Sequence, residues 1–161
     1  MRMRKRQIGF SLIELLIVVA IILVIAAIAI PGYLNARMAA NEGSAVQSVR
    51  TLQSALTAYA TTYPGIGFPA QLLDLGPGAA VPCVSSITQA CLIDNVLASG
   101  TKSGYNFTYV QNASSIPSVA YTLNADPLTR GSTGHRSFYS DQPGVIRWNS
   151  AAAATITDPT I

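Results

Sequence analysis

The stretch Gly9-Phe10-Ser11-Leu12-Ile13-Glu14 opens an apolar run that continues to Ile30 and is followed by Pro31-Gly32. Of the 21 residues from Phe10 to Ile30, only Glu14 carries a charge. Because an α-helix rises about 1.5 Å per residue, a helix of this length spans roughly 30 Å, the thickness of the hydrocarbon core of a bilayer. The run therefore predicts a helix that can cross a membrane.

Basic residues precede the run, and one acidic residue lies inside it. The basic flank predicts a cytoplasmic N-terminus, with the chain beyond Ile30 on the other side of the membrane. A carboxylate such as Glu14 costs about 2–3 kcal/mol near the middle of a transmembrane helix and less near an end, and such residues are usually functional. A cut just before Phe10 would create an ammonium about one turn from Glu14, or opposite the Glu14 of a shifted neighbouring molecule. The basic residues are Arg2, Arg4, Lys5 and Arg6.

This N-terminal pattern resembles the class III signal of type IV pilins and type II secretion pseudopilins, and it is most like that of a type IVa pilin. The resemblance covers about residues 4–62 and rests on Gly9–Glu14, Leu15–Ile22 and Ala29-Ile30-Pro31. It implies a prepilin peptidase that cuts between Gly9 and Phe10 and N-methylates Phe10. It also implies that Glu14 acts in assembly and that Pro31, next to Gly32, kinks the helix. Ser11 stands where the family usually has threonine.

The resemblance further implies a pilin fold of class α+β and a structural, non-enzymatic function. Copies of the chain would pack into a helical filament after passing through an inner-membrane assembly platform. The precursor would lie in the inner membrane, and the product would be an extracellular pilus. In the pseudopilin alternative the filament is a periplasmic pseudopilus.

Two further alternatives remain open at this point. Ala27-Ile28-Ala29 fits the pattern cut by an ordinary signal peptidase. Against this, the apolar core is long for a signal peptide, and Glu14 would have no purpose in one. A membrane-anchored periplasmic domain with an uncut helix and no filament is the other alternative.

The helix is predicted to continue from Phe10 to Thr62 and to stop at Tyr63-Pro64-Gly65. Its second half is amphipathic, with apolar residues at spacings of three and four that should pack on a sheet. These are Val46, Val49, Leu52, Leu56, Tyr59 and Tyr63. The opposite face carries polar residues: Asn41, Glu42, Ser44, Gln47, Ser48, Arg50, Thr51 and Ser54.

Residues 64–103 are rich in Gly, Pro, Ser and Ala and predict a long connecting loop. Short helical turns are predicted at Gln71–Leu75 and Leu92–Ala98. Cys83 and Cys91 lie in this loop, and a disulfide is the default for an exported chain. Free or intermolecular thiols are the alternative.

The last third alternates with period two and predicts an antiparallel sheet of about four strands within residues 104–150. Alternating apolar residues define two of the strands, and a hairpin around Asp141–Gly144 supplies two more, with Ile146 and Trp148 facing the core. Residues 124–127 and 130–134 are interpreted as loops, and residues 151–161 as a loosely ordered tail. The alternating residues are Tyr105, Phe107 and Tyr109 in one strand and Val119, Tyr121 and Leu123 in the next. The predicted segments are thus leader 1–9, apolar half-helix 10–32, amphipathic half-helix 33–63, loop 64–103, sheet 104–150 and tail 151–161.

Charge and chemistry exclude several function classes. The chain carries ten basic and seven acidic residues, but four of the basic ones precede Gly9, so residues 10–161 have a net charge of −1 and no nucleic-acid footprint. His135 is the only histidine, and no catalytic, cofactor-binding or metal-binding constellation is apparent. Asp126 and Asp141 lack the spacing of a calcium loop. The sequence therefore predicts no cofactor, no metal and no specific nucleic-acid partner.

Overall fold

The computed structural model describes residues 9–78, 82–112 and 115–161, so residues 1–8 of the basic leader lie outside the described part. One long helix, α1, begins at Leu12 and ends at Thr62. The chain divides between Ala36 and Arg37 into two compact units. In the first unit the described residues from Leu12 onward are helical, and the helix continues through Pro31-Gly32.

The second unit combines the rest of α1 with a five-stranded antiparallel sheet, which confirms the predicted α+β class. The strands follow one another in sequence order across the sheet, so each is paired with its neighbour in the chain. The register places Ala125 opposite both Phe107 and Phe138, which fixes three strands side by side. The strands are β1 (Thr101–Lys102), β2 (Tyr105–Gln111), β3 (Tyr121–Pro127), β4 (Ser137–Asp141) and β5 (Arg147–Asn149).

The apolar stripe of α1 packs on this sheet, as its spacing predicts. Val49, Leu52 and Leu56 are fully buried, and they meet Leu123 and Phe138 from the sheet in one core cluster. The first residue of α1 in this core cluster is Ala45, which is fully buried, whereas the neighbouring Val46 is only half-buried. Ile146 and Trp148 also pack against the core but stay partly exposed.

Two predictions about the sheet are wrong in detail. Residues 124–127 belong to β3 and not to a loop, because Asn124 and Asp126 pair across to β2 in the same register as the strand before them. Val119 precedes β3 and is 62% exposed, so it does not share the buried face of Tyr121 and Leu123. The fifth strand, β1, lies within the segment expected to be loop.

The connecting segment is held by short elements and by backbone hydrogen bonds. It contains a 3-10 helix, Leu72–Leu75, and a four-residue helix α2, Asn95–Ala98, which starts after Asp94. The amide of Ala90 donates to the carbonyl of Asp74 at 2.7 Å, and the amide of Leu92 donates to the carbonyl of Leu75 at 2.8 Å. Residues 90–92 therefore run back along the 3-10 helix. Both predicted helical turns are therefore present in shorter form.

The C-terminal residues are ordered by contacts with the sheet, contrary to the prediction of a loose tail. The Trp148 amide donates to the Pro159 carbonyl, and the Ile161 amide donates to the Ile146 carbonyl, each at 3.0 Å. Ala154 is buried, and its carbonyl accepts from the Asn124 side chain at 2.8 Å. The tail thus follows the outer edge of β5 and reaches the middle of the sheet.

Candidate functional site: the exposed apolar helix

The first unit presents a helix whose apolar side chains have no cover within the described residues. Leu12 is 81% exposed, Ile22 57% and Ile28 78%. A helix that is apolar on all sides is normally buried in a larger core or in a membrane. This surface is therefore incomplete in one copy of the chain and requires lipid or other protein around it.

The helix is long and apolar enough to cross a membrane, judged by length and composition. Other helices that meet this test were not found among the described residues. The window that meets it lies near the N-terminus and has none of its residues buried. Together with the N-terminal signal, this is consistent with a membrane-anchored precursor.

Glu14 lies in the first turn of α1. It has no hydrogen-bond or ion-pair partner among the residues that the structure describes. The helix is already formed around it, since the Leu15 amide donates to the Ser11 carbonyl at 3.2 Å. A carboxylate near a helix N-terminus is favoured by the helix dipole, but by less than 1 kcal/mol when exposed. Glu14 is therefore a charge available to a cation from outside the helix.

Gly9 and Phe10 immediately precede the helix and are both exposed. A β-carbon at Gly9 would meet nothing within 4 Å, so the described residues leave the Gly9–Phe10 bond open to a protease. Phe10 lies four residues before Glu14 in the sequence and two residues before α1 begins.

Pro31 and Gly32, the predicted kink, are some distance from this group. They follow Glu14 by seventeen residues or more, roughly 25 Å along a helix axis. Both lie inside α1, and a β-carbon at Gly32 would meet nothing within 4 Å. Phe10 and Glu14 therefore lie near the start of the exposed helix, and Pro31-Gly32 lies further along it.

Cys83 and Cys91 lie in the second unit and form the predicted disulfide, with their Cα atoms 6.3 Å apart. The loop that they close is tied to the end of α1, because the Tyr59 hydroxyl donates to the Ile87 carbonyl at 2.7 Å. Val84 and Ile87 keep half or more of their surface exposed on this loop. The disulfide is therefore part of the second unit, residues 37–161, which we call the head, and not of the N-terminal site.

Glu42 does not lie on an exposed polar face of α1, contrary to its predicted position opposite the apolar stripe. Glu42 is only 7% exposed. Its Oε1 accepts from the His135 amide at 2.8 Å, and its Oε2 accepts from Arg136 Nε at 2.7 Å. Burial by itself would raise the pKa of this carboxyl, but the hydrogen bonds from His135 and Arg136 hold it below its ordinary 4.5.

The spacing of the helix contained the signal for this burial. Glu42 precedes Ala45 by three residues and Val49 by seven, so it continues the buried stripe by one further turn toward the N-terminus. Met38, four residues earlier, is also buried. A charged residue on an otherwise apolar stripe predicts a charged or hydrogen-bonding partner, and that partner is Arg136, 94 residues away, whose side chain is 44% exposed.

The two acidic residues considered as calcium ligands are not adjacent. Asp141 pairs with Thr122 on β3, four residues from Asp126, which corresponds to about 13 Å along a strand. Within residues 9–78, 82–112 and 115–161 no three His, Cys, Asp or Glu side chains cluster as metal ligands.

Comparison with known proteins adds one finding about the N-terminal region. No solved structure matches the chain. Residues 4–30 match the family model described as the prokaryotic N-terminal methylation motif. The match covers residues 4–9 of the basic leader, the Gly9–Phe10 bond, Glu14 and the apolar run up to Ile30. The chain thus carries, at the start of its exposed apolar helix, the methylation motif that marks type IV pilins and pseudopilins.

Proposed function

We propose that the chain is the major structural subunit of a type IV pilus. One observation carries the proposal: the helix that bears the methylation motif exposes its apolar side chains and leaves Glu14 without a partner in the described residues. A surface of this kind suits both the membrane before assembly and the filament core after it. The globular second unit would then coat the filament.

Processing would prepare the helix for assembly. We place the cut between Gly9 and Phe10, where prepilin peptidase would remove residues 1–9 and methylate the new amine of Phe10. Removal of four basic residues leaves one ammonium at the start of the helix. The same segment is thereby changed from an anchor with a basic flank into a helix with one positive charge and one negative charge near its end.

Glu14 would then set the axial position of each incoming copy. Pairing with the Phe10 ammonium of a neighbouring copy offsets the cost of burying the carboxylate in an apolar filament core. Because the contact is made head-to-tail and does not close into a ring, repetition gives an open helix. In this arrangement Pro31-Gly32 would serve as a bend between the core-forming and head-bearing parts of α1.

The intact mass of the protein in sheared surface filaments tests this function. We expect abundant fibres whose subunit begins at N-methylated Phe10 and retains the Cys83–Cys91 bond. A protein present only as a full-length membrane monomer would contradict any filament role and would favour an anchored periplasmic domain.

Substitution of Glu14 tests the charge pair. Glu14→Gln should leave membrane insertion intact, since it removes a charge from the apolar run, but should greatly reduce filament yield. Glu14→Asp, which keeps the charge, is the matched control and should retain part of the yield. Filaments formed in normal amounts by Glu14→Gln would remove the proposed role of the pair.

A type II secretion pseudopilin is the second candidate. It is favoured by the position of the disulfide, which closes part of the connecting segment and not the C-terminal part of the head. Deletion of the chain separates the two candidates. Loss of surface fibres supports the pilin, whereas unchanged fibres with loss of protein secretion support the pseudopilin.

A further inference from the structure

The two ends of the head-bearing part of α1 are attached to the sheet in different ways. From Ala45 onward the attachment is an apolar cluster that includes Leu52 and Leu56. Before Ala45, Met38 is buried outside that cluster, and Asn41 and Glu42 attach the helix through hydrogen bonds to the β3–β4 connection. Regions held by few apolar contacts open at lower free energy than the core. The polar end is therefore where the head can open without unfolding.

Glu42 makes most of this polar attachment. Its Oε1 accepts from the amides of His135 and Arg136, at 2.8 and 3.2 Å, and its Oε2 accepts from Arg136 Nε at 2.7 Å. These bonds have an ionised acceptor and are stronger than bonds between neutral groups. Two of the three donors are backbone amides of the β3–β4 connection, so their bonds to Glu42 break if the connection moves away from α1. We call Glu42, His135 and Arg136 together the Glu42 latch.

The latch is connected to the C-terminal tail through Arg130. This residue lies in the same β3–β4 connection, and its guanidinium donates to the carbonyls of Ser150 at 2.9 Å and Ala152 at 3.0 Å. It also donates to the carbonyl of His135, a residue of the latch. Movement of the connection away from α1 would therefore displace the donor that holds the start of the tail.

The charged and titratable groups around Glu42 come from three elements besides its own helix. Arg136 and His135 lie in the connection before β4, and Arg136 also lies over the ring of Trp148 in β5. Tyr105 in β2 donates its hydroxyl to the Arg136 carbonyl at 2.8 Å. Arg130 and Asp126 act electrostatically on the same tyrosine. Arg136 is the single cation in an ion pair with Glu42 among the described residues.

We propose that the Glu42 latch is an acid-operated release. When the carboxylate takes up a proton, the β3–β4 connection leaves α1, and Ser150 and Ala152 lose their Arg130 contacts, while the apolar cluster remains packed. The direction follows from the hydrogen bonds, which hold the pKa of Glu42 below its ordinary 4.5 in the folded chain. The latch therefore stabilises the head fully above that value and is lost as the pH falls below it.

Amide hydrogen exchange of the full chain in detergent micelles tests the release. After correction for the intrinsic effect of pH, we expect the His135 and Arg136 amides to exchange on the order of tenfold faster below pH 4 than at pH 7, as for loss of a charge-assisted bond. The Leu56 amide should stay protected. Equal protection of the latch amides at both pH values would overturn the proposal, and so would opening of Leu56 together with them.

Two variants separate the latch from other acid-sensitive groups. Glu42→Gln should exchange quickly at neutral pH with no further acid step, and a retained acid step would overturn the proposal. If that variant does not fold, Arg136→Gln serves instead, because loss of the cation should move the midpoint to higher pH, and an unmoved midpoint would count against the latch. Asp94→Asn, at a hydrogen-bonded carboxylate outside the latch, should leave the step unchanged.

Discussion

The two halves of α1 are similarly helical but differ in where their apolar side chains find cover. In residues 12–36 the large apolar side chains are exposed, whereas in residues 37–62 Val49, Leu52 and Leu56 are fully buried against the sheet. The first half is apolar on all sides, and the second has a single apolar stripe. The comparison teaches that the width of the apolar surface, read from the sequence, indicates whether the partner of a helix lies inside the chain or outside it.

The largest expected difference comes from removing a large side chain in each half. Leu56→Ala should lower the free energy of unfolding of the head by about 2–5 kcal/mol, because it leaves a cavity in the core. Ile22→Ala, the matched change in the exposed half, should leave that quantity within about 0.5 kcal/mol. Urea unfolding in detergent, followed by the fluorescence of Trp148, measures both.

The same pair of variants should show the reverse order in assembly. Ile22→Ala should reduce filament yield or filament stability, because its side chain is covered only by other copies. Equal loss of head stability in the two variants would break the comparison, since it would mean that residue 22 is covered within its own chain.

The next largest effect should come from the disulfide. Replacing Cys83 and Cys91 together by Ser should cost about 2–3 kcal/mol in the chain-entropy model of disulfide stabilisation. The head should remain folded, because Tyr59 and the Ala90 amide still hold the loop. Urea midpoints of the variant and the oxidised parent, with reduced parent as control, measure the difference. A loss of the complete sheet signal would show that the hydrogen bonds alone cannot hold the loop.

The smallest effect should come from glycines inside α1. A β-carbon at Gly43 would meet nothing within 4 Å, so Gly43→Ala should stabilise the head by about 0.5–1 kcal/mol through helix propensity alone. Gly32→Ala, in the other half, has the same open surroundings and should not change unfolding of the head. Thermal unfolding of the two variants compares them. A stabilising Gly32→Ala would show that the two halves unfold together.

The main outline of the fold was predictable because periodicity carries it. Spacings of three and four marked the buried face of α1, period-two alternation marked β2 and the start of β3, and the turn residues Asp141–Gly144 marked the hairpin of β4 and β5. The end of β3 was missed because Asn124, Asp126 and Pro127 are typical turn residues. Pairing with β2 outweighs their local preference. Pro127 lies beyond Thr122–Ala125, the part of β3 that pairs with β4, so it is at an edge on that side, where proline is tolerated.

The candidate site was predictable where it is local and was missed where it is not. Gly9, Phe10 and Glu14 lie in one short motif, so their relation can be seen in the sequence. The partner of Glu42 cannot, because Arg136 reaches it only when β4 folds beside α1. The ordered tail was missed for a similar reason, since its alanines carry no pattern and its hydrogen bonds go to β5 and to Arg130.

The disulfide also limits how far the head can be stretched. Its two Cα atoms are 6.3 Å apart and eight residues apart in the chain, whereas eight fully extended residues span roughly 26–29 Å. Each unfolded head should therefore be about 20 Å longer when reduced than when oxidised. In single-molecule pulling this appears as a difference in contour length, so the redox state of each subunit becomes a length that can be measured under load.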